Sequence, residues 1–362
     1  MKRFTCGCLL PIFSALLPGA AQAQVTEDDL VRSPQYVARE HRFQNLPNPD
    51  LKPNRSTWDI WSRFFFESKQ GTVPIDPIPV RMLDKAALDA LDNASSHIIR
   101  LGHSSHLLKL RGKWWLIDPV FGPRASPVTW AGPQRFHQPP IALEDVPPIE
   151  GLILSHDHYD HLDVPTIEAL KGRVKRYFVP LGVGQHLRSW GVPADSIEEF
   201  DWWQERKWGE VTLTAAPAQH FSGRTLWDRD RTLWASWSVR SGSDHIFYSG
   251  DSGYFSGFKT IRERLPRIDI ALMENGAYDT YWPAVHMQPE ETVQAFQDLG
   301  AGVLYLVHNS TFDLAFHGWR DPLERVAALA KERGIHLATP EIGEVLTVGK
   351  PRENRHWWEG LR

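Results

Sequence analysis

The sequence predicts a layered α and β domain, and three observations carry that reading. From Ser96 onward, short apolar runs alternate with turn-forming residues, as the strands of a sheet do. Helical patterns intervene at 165–171, 290–299 and 322–333. The 362 residues are 42% hydrophobic and 23% charged, enough apolar material for a large buried core. Strands interleaved with helices bury their apolar faces by stacking in layers.

The chain opens with a short positive head, Lys2 and Arg3, then the mostly apolar run Leu9 to Leu17, then Ala21-Gln22-Ala23. This order is that of a secretory signal peptide over 1–23, cleaved after Ala23, and the apolar run is too short to cross a bilayer. The expected location is therefore the periplasm or the exterior. Cys6 and Cys8 are the only cysteines, and both precede the cut. A disulfide framework, a zinc–thiolate site and a cysteine nucleophile are excluded together. Removing two positive charges takes the net charge from -4 to -4 - 2 = -6, and no basic footprint for nucleic acid exists.

Residues 24–95 are polar and proline-rich, with an aromatic island at Trp58, Trp61 and Phe64 to Phe66. They are expected to form an amino-terminal arm lying across the main domain of 96–362, with a short helix around Asp84 to Leu91. Ile98 to Leu101, Leu107 to Leu110 and Trp114 to Ile117 are expected strands, and Gly151 to Ser155 is a buried one by its continuous apolar character. Val211 to Ala215 alternates as a half-buried strand. Leu233 to Arg240 and His245 to Ser249 flank a polar turn, as a hairpin does. Ile268 to Met273 and Val303 to Val307 complete the set. Asp163 is placed to cap the first of the later helices, with Pro165 in its opening turn.

The chemistry is concentrated in His156-Asp-His158-Tyr-Asp160-His161, directly after the strand ending at Ser155. Three imidazoles and a carboxylate within six residues are costly unless a cation joins them, and a strand-end loop holds such groups on a rigid scaffold. His220, Asp251 and His308 each follow a predicted strand as well. Alone, a strand-end histidine is usually a surface residue and an aspartate after glycine a turn former. Their repeated placement changes this, because strand ends on one side of a sandwich converge. The donors are all nitrogen and oxygen and suit two zinc ions, with iron or manganese as other occupants. His156, His158 and His220 would hold one ion, Asp160, His161 and His308 the other, and Asp251 would bridge. Two such ions roughly 3.5–4 Å apart can share a hydroxide of pKa about 7, the expected nucleophile.

These residues resemble the metallo-β-lactamase superfamily, whose pattern is H-x-H-x-D-H with a later His, Asp and His. The chain is similar above all to the N-acyl-phosphatidylethanolamine-hydrolysing phospholipase D branch. The likeness runs through Asp118-Pro119-Val120-Phe121, Gly132-Pro133-Gln134-Arg135-Phe136, Phe178-Val179-Pro180-Leu181-Gly182, Asp201-Trp202-Trp203, Leu233 to Val239 and Gly250-Asp251-Ser252-Gly253-Tyr254. It covers about Ser96 to Leu346. It implies a four-layer αββα sandwich, with all seven ligand positions matched. It also implies that His103 supports the metals from behind and that His286 aligns with a histidine contacting the substrate phosphate. Two segments depart from the branch: His308-Asn309-Ser310-Thr311-Phe312 replaces His-Trp-Gly-Thr-Phe, and Met273-Glu274-Asn275-Gly276-Ala277-Tyr278 places a carboxylate, Glu274, where the branch has none.

The resemblance implies a dizinc phosphodiesterase of phospholipase D type, acting on N-acyl-phosphatidylethanolamine-like lipids through a metal-bridging hydroxide, and the amino-terminal signal pattern adds that it is exported. Asp160 and Asp251 would position the hydroxide and accept its proton, and His286 and Tyr159 would meet the substrate. A lactonase or β-lactamase-type hydrolase of the same fold is the alternative, and a non-catalytic lipid- or metal-binding protein is an alternative of another class. The 16 tryptophans fit either core packing or a rim touching membrane or acyl chain. Trp130, Trp282 and Trp319 lie in loops near ligand-bearing segments and are the candidates for substrate contact. Some phospholipase relatives are homodimers, but no interface patch is legible in this sequence.

Overall fold

A computed structural model describes residues 25–45, 56–67, 69–350 and 354–362. The leader expected over 1–23 lies outside these residues. The described chain runs α1 (Glu27–Val31), a small hairpin β1 (Tyr36–Val37) and β2 (Arg42–Phe43), α2 (Thr57–Phe66) and α3 (Lys85–Asp89). The first large sheet then begins with β3 (His97–Gly102), β4 (Ser105–Leu110), β5 (Lys113–Ile117) and β6 (Ile149–Ile153). Helix α4 (Val164–Leu170), β7 (Tyr177–Pro180), α5 (Gly184–Ser189) and β8 (Ile197–Phe200) follow. The second sheet holds β9 (Glu205–Trp208), β10 (Val211–Ala216), β11 (Ser236–Ser241), β12 (Asp244–Tyr248), β13 (Ile270–Glu274), β14 (Val303–Val307) and β15 (Leu337–Ala338). Helices α6 (Gly257–Arg264), α7 (Pro289–Leu299) and α8 (Asp321–Arg333) are threaded among these strands, and β16 (Val345–Thr347) returns to the first sheet. Among the described residues, no helix is long and apolar enough to cross a membrane.

Each large sheet has seven strands, in the orders β16-β3-β4-β5-β6-β7-β8 and β15-β14-β13-β12-β11-β10-β9. Both are half antiparallel and half parallel: β5 to β8 run parallel, as do β12 to β15. Parallel strands need crossover helices, which cover the outer faces. Adjacent residues therefore enter different cores. Ile98, Leu108 and Ile153 point between the sheets, where they meet Leu213, Trp237, Ile246 and Leu272. Their neighbours Ile99, Leu107 and Leu152 pack outward on Ile167 and Leu170 of α4 and Leu187 of α5. On the other side Phe247, Met273 and Leu304 pack on Phe258 of α6, Phe296 of α7 and Val326 of α8. The order of layers is α, β, β, α, as the family resemblance implies. Burial on both faces also explains why these strands read as continuous apolar runs.

Local chemistry fixes the helix ends. Asp163 accepts from the Thr166 amide at the start of α4, and Pro165 sits in its first turn. Helices α7 and α8 have a proline in their first turn, Pro289 and Pro322, and stop at Gly300 and Gly334, both left-handed at φ 64°. The strand expected from Leu233 starts only at Ser236. The amides of Leu233 and Ala235 donate instead to Leu181 and Ser155 carbonyls of the first sheet, so this stretch ties the sheets together rather than lengthening a ladder. Trp237 adds a second tie, its indole donating to the Leu154 carbonyl at 2.9 Å.

Candidate metal centre

Strand ends of both sheets deliver the site. His103 follows β3, Asp118 follows β5, and the 156–161 loop follows β6, all in the first sheet. His220, Asp251 and His308 follow β10, β12 and β14 in the second. Gly250, left-handed at φ 58°, turns the chain so that Asp251 enters the pocket. All seven residues expected as ligands come together, in two groups. His156, His158, His220 and Asp251 bring ligand atoms within 4.8 Å of one another, and so do His103, Asp160, His161 and His308.

Asp251 joins the groups. Its Oδ2 lies 3.0 Å from His308 Nε2 and 3.1 Å from His161 Nε2, and 3.8 Å from Nε2 of both His156 and His220. Asp160 Oδ2 sits 3.2 Å from His308 Nε2 and 3.4 Å from His161 Nε2. Within the other group, His156 Nε2 and His158 Nδ1 are 2.8 Å apart. His103 Nε2 lies 2.9 Å from Asp160 Oδ2, so its ring backs the carboxylate.

Electrostatics sort the donors. Burial pushes His156 and His220 well below the usual histidine range, with crowding by neighbouring imidazoles adding to it, so both present neutral nitrogens. Burial opposes charge on His161 too, but Asp251 and Asp160 hold it well above that range. His308 is likewise held up at about 10 by Asp251 and Asp160, against burial. Burial would raise Asp160 and Asp251, yet His161 and the surrounding hydrogen bonds hold both well below the usual carboxylate range. The buried atoms His161 Nε2 and Asp251 Oδ1 make no hydrogen bond. A packed interior rarely leaves such atoms unused, and here they are spare ligand capacity. The donor set fits two divalent ions.

Residues beyond the ligand list hold it in place. Asp118 is fully buried, with Oδ2 accepting from His161 Nδ1 (2.7 Å), the Tyr248 hydroxyl (2.6 Å) and Ser155 Oγ (2.5 Å), and Oδ1 from the Ser155 amide (2.7 Å). The carboxylate fixes the Nδ1–H tautomer of His161 and frees Nε2 for the pocket. Ser155 Oγ lies 2.9 Å from His156 Nδ1 and relays the same support. The Val285 carbonyl plays this part for His220 Nδ1 at 3.0 Å. Asn45, from the arm, exchanges two hydrogen bonds with the His220 backbone at 2.8 and 3.1 Å. Sequence reading missed Asp118 and Asn45 as site residues, although Asp118 has the same strand-end placement that exposed the ligands.

The proposed substrate contacts divide. His286 lies beside the ligands, its ring 5.2 Å from those of His220 and His308, with Nδ1 2.5 Å from Glu274 Oε1. Tyr159 gives its hydroxyl to the Arg224 carbonyl at 2.6 Å and lines a cavity of about 370 Å³ with Pro123, Val128, Trp190 and Arg224. Trp130 is 80% exposed, on the loop that forms one wall of that cavity. Trp282 is half-buried, its indole donating to the Ala277 carbonyl at 2.8 Å. Trp319 is 5% exposed and stacks on Trp357 in the outer core against α8, and it also lines a small cavity with His308 and Phe312.

Known proteins place this geometry. A beta-lactamase superfamily domain family matches residues 113–309. An uncharacterised protein of Mycobacterium tuberculosis is 43% identical over 337 residues, covering 90% of this chain and 88% of its own. The N-acyl-phosphatidylethanolamine-hydrolyzing phospholipase D 1 of Caenorhabditis elegans is 32% identical over 263 residues, covering 68% of this chain and 74% of its own. Among solved structures, a metallo hydrolase from the archaeon Ignicoccus hospitalis shares the fold, with TM-score 0.56, 19% identity and coverage of 71% of this chain and 100% of its own. Two stacked sheets, paired His/Asp clusters joined by one carboxylate, and a match over more than half of the sequence assign the chain to the metallo-β-lactamase superfamily of metal-dependent hydrolases.

Proposed function

We propose that this hydrolase is an exported, zinc-dependent phosphodiesterase of phospholipase D type, acting on N-acyl-phosphatidylethanolamine-like lipids. The observation that carries the reading is Asp251 Oδ2, shared at 3.0–3.8 Å by histidines of both clusters, in a chain similar over two thirds of its length to the nematode phospholipase. His156, His158 and His220 would hold one zinc, Asp160, His161 and His308 the other, and Asp251 both. Bound there, the ions would polarise a phosphoryl oxygen and make water a nucleophile near neutral pH. Asp160 and Asp251 would orient that water and take its proton. Its oxygen would bond to phosphorus as the bond to the headgroup oxygen breaks, and that oxygen would leave with a proton as the free alcohol. His286 faces the phosphoryl group.

A lipid fits the surroundings. The cavity beside Tyr159 has apolar walls in Pro123, Pro127, Val128 and Trp190. At its rim stand Trp130, Leu226 and Trp227, each at least 80% exposed, on the two loops that form the walls. Exposed tryptophan and leucine at loop tips suit the boundary between water and a bilayer. Export rests on Lys2, Arg3, the Leu9 to Leu17 run and Ala21-Gln22-Ala23. The zinc-loaded protein should release N-acylethanolamine from N-acyl-phosphatidylethanolamine in mixed micelles, tested beside bis-p-nitrophenyl phosphate, an acyl-homoserine lactone and nitrocefin. Efficient turnover of the lactone or nitrocefin, with neither phosphodiester cleaved, would replace this reading with the lactonase or β-lactamase one.

A further inference from the structure

One of the two segments that depart from the phospholipase pattern carries Glu274, and its surroundings assign it a task. Glu274 ends β13, between β12 and β14, whose ends carry Asp251 and His308. Its side chain is fully buried. Oε1 lies 2.5 Å from His286 Nδ1, and Oε2 accepts weakly from the amides of Ser252 (3.3 Å) and Met287 (3.4 Å). The loop bearing His286 is pinned independently of this pair. The Val285 carbonyl accepts from His220 Nδ1, the Ala284 carbonyl accepts from Gln219 Nε2 at 2.9 Å, and the Ala284 backbone packs so closely on Gly253 that a Cβ there would stand 1.9 Å from its oxygen. The backbone leading into His286 is thus fixed, and the carboxylate sets the orientation of the ring that follows. A buried carboxylate whose one ion pair among the described residues is with this imidazole is a costly feature unless it has a role.

We propose that Glu274 is a positioning residue: it keeps a proton on His286 Nδ1 and so presents Nε2 to the substrate over Asp251 and His308. Those two residues and His286 bring ligand atoms within 4.8 Å of one another at the shared edge of the two clusters, and Nε2 is the ring nitrogen left over by the Glu274 contact. The inference rests on the proposed role of His286 in contacting substrate, and its structural half is testable without turnover. In Glu274→Gln, the Ser252 and Met287 amides retain an oxygen opposite them, which puts the new amide nitrogen against His286 Nδ1. That nitrogen can only donate, so the proton must move from Nδ1 to Nε2.

The test uses zinc-loaded full-length protein with 15N-labelled imidazoles, the His286 signals being identified by their loss in His286→Ala. Nδ1 of His286 should be protonated in the parent and bare in Glu274→Gln, with zinc stoichiometry unchanged. An Nδ1 that stays protonated in Glu274→Gln, or is bare in the parent, overturns the proposal, whatever the protein hydrolyses. On the substrate that is cleaved, Glu274→Gln and Glu274→Ala should each lower kcat/KM at least tenfold, and adding either to His286→Ala should cost less than a further twofold. Losses that multiply in the double variants would show that Glu274 acts elsewhere. If no substrate in the panel is cleaved, the phosphodiesterase reading fails and the nitrogen spectra still decide this one.

Discussion

Replacing Asp118 by asparagine should weaken one metal ion much more than the other. Asp118 Oδ2 receives three donors, His161 Nδ1, Tyr248 OH and Ser155 Oγ, and Oδ1 receives the Ser155 amide. An asparagine oxygen would stay on the backbone amide and leave its NH2 among the three. His161 would then have to accept through Nδ1 and carry its proton on Nε2, the atom 3.1 Å from Asp251 and 3.4 Å from Asp160. A protonated nitrogen cannot ligate a metal. The hydrogen bond lost is charge-assisted, about 1.5–3 kcal/mol, which at about 1.4 kcal/mol per decade is roughly 10–100-fold in affinity. Removing the outer partner of a metal-binding histidine elsewhere has an effect of the same size. The ion held by Asp160, His161 and His308 should bind that much more weakly by chelator competition. The ion at His156, His158 and His220 should weaken by no more than a few-fold, through Ser155. Ser155→Ala should reverse the order, with roughly 2–10-fold at His156 from a neutral hydrogen bond. Equal affinities for both ions in Asp118→Asn and the parent would refute the assignment of Asp118 and of the second cluster together.

Metal binding at the Asp160, His161 and His308 cluster should strengthen as pH rises. His308 is held protonated up to about 10 and His161 also above its ordinary value, so an ion must displace their protons, whereas His156 and His220 are already neutral. Calorimetry in buffers of different ionisation enthalpy should find more protons released by the second ion than by the first, and equal release would contradict the charge pattern. Asn45→Ala should lower Tm by a few degrees, since it leaves the His220 amide and carbonyl without their partners at about 1–3 kcal/mol; an unchanged melting curve would remove the arm from the account of the site. Replacing Trp130, Leu226 and Trp227 together by serine should abolish sedimentation with phospholipid vesicles and leave hydrolysis of soluble bis-p-nitrophenyl phosphate within twofold; retained vesicle binding would exclude these tips as the membrane contact.

Strands β3 to β6 and β10 to β14, and the ligands after them, were legible in the sequence for one shared reason. A strand buried on both faces is largely apolar, so a cluster of ligand residues at its end stands out, and Ile153, Tyr248 and Val307 stand just before the ligand segments. Short or polar strands such as β9, with Glu205, Arg206 and Lys207 exposed, carry no such contrast and were not seen. Tryptophan roles were harder to read. Trp234 and Trp319 are core and Trp130 is surface, and only the course of the chain distinguishes them. Supporting residues were hidden more deeply. Asp118 is separated by 43 residues from His161, and Asn45 by 175 from His220, so neither pairing leaves a local pattern.

The backbone around the site follows from the same convergence. His103, Asp118, Ala277, His308 and Ser310 are all non-glycine residues at positive φ, between 39° and 64°. Each stands within a few residues of the end of β3, β5, β13 or β14. A strand leaving the sheet in extended form would carry its next side chain past the pocket, and a left-handed residue turns it inward within one step. Such conformations cost of order 1–3 kcal/mol each and persist only where their surroundings over-determine them. Three cores supply that constraint here, since every strand bearing a site residue is packed on both faces. Glycine would relieve the strain at His103, Asp118 or His308 but would remove an imidazole or carboxylate in doing so. Function, not backbone preference, therefore decides the residue at those three positions, and nearby Gly276 marks the opposite case. There a Cβ would stand 2.0 Å from the His308 carbonyl, so packing against the ligand-bearing turn dictates the absence of a side chain.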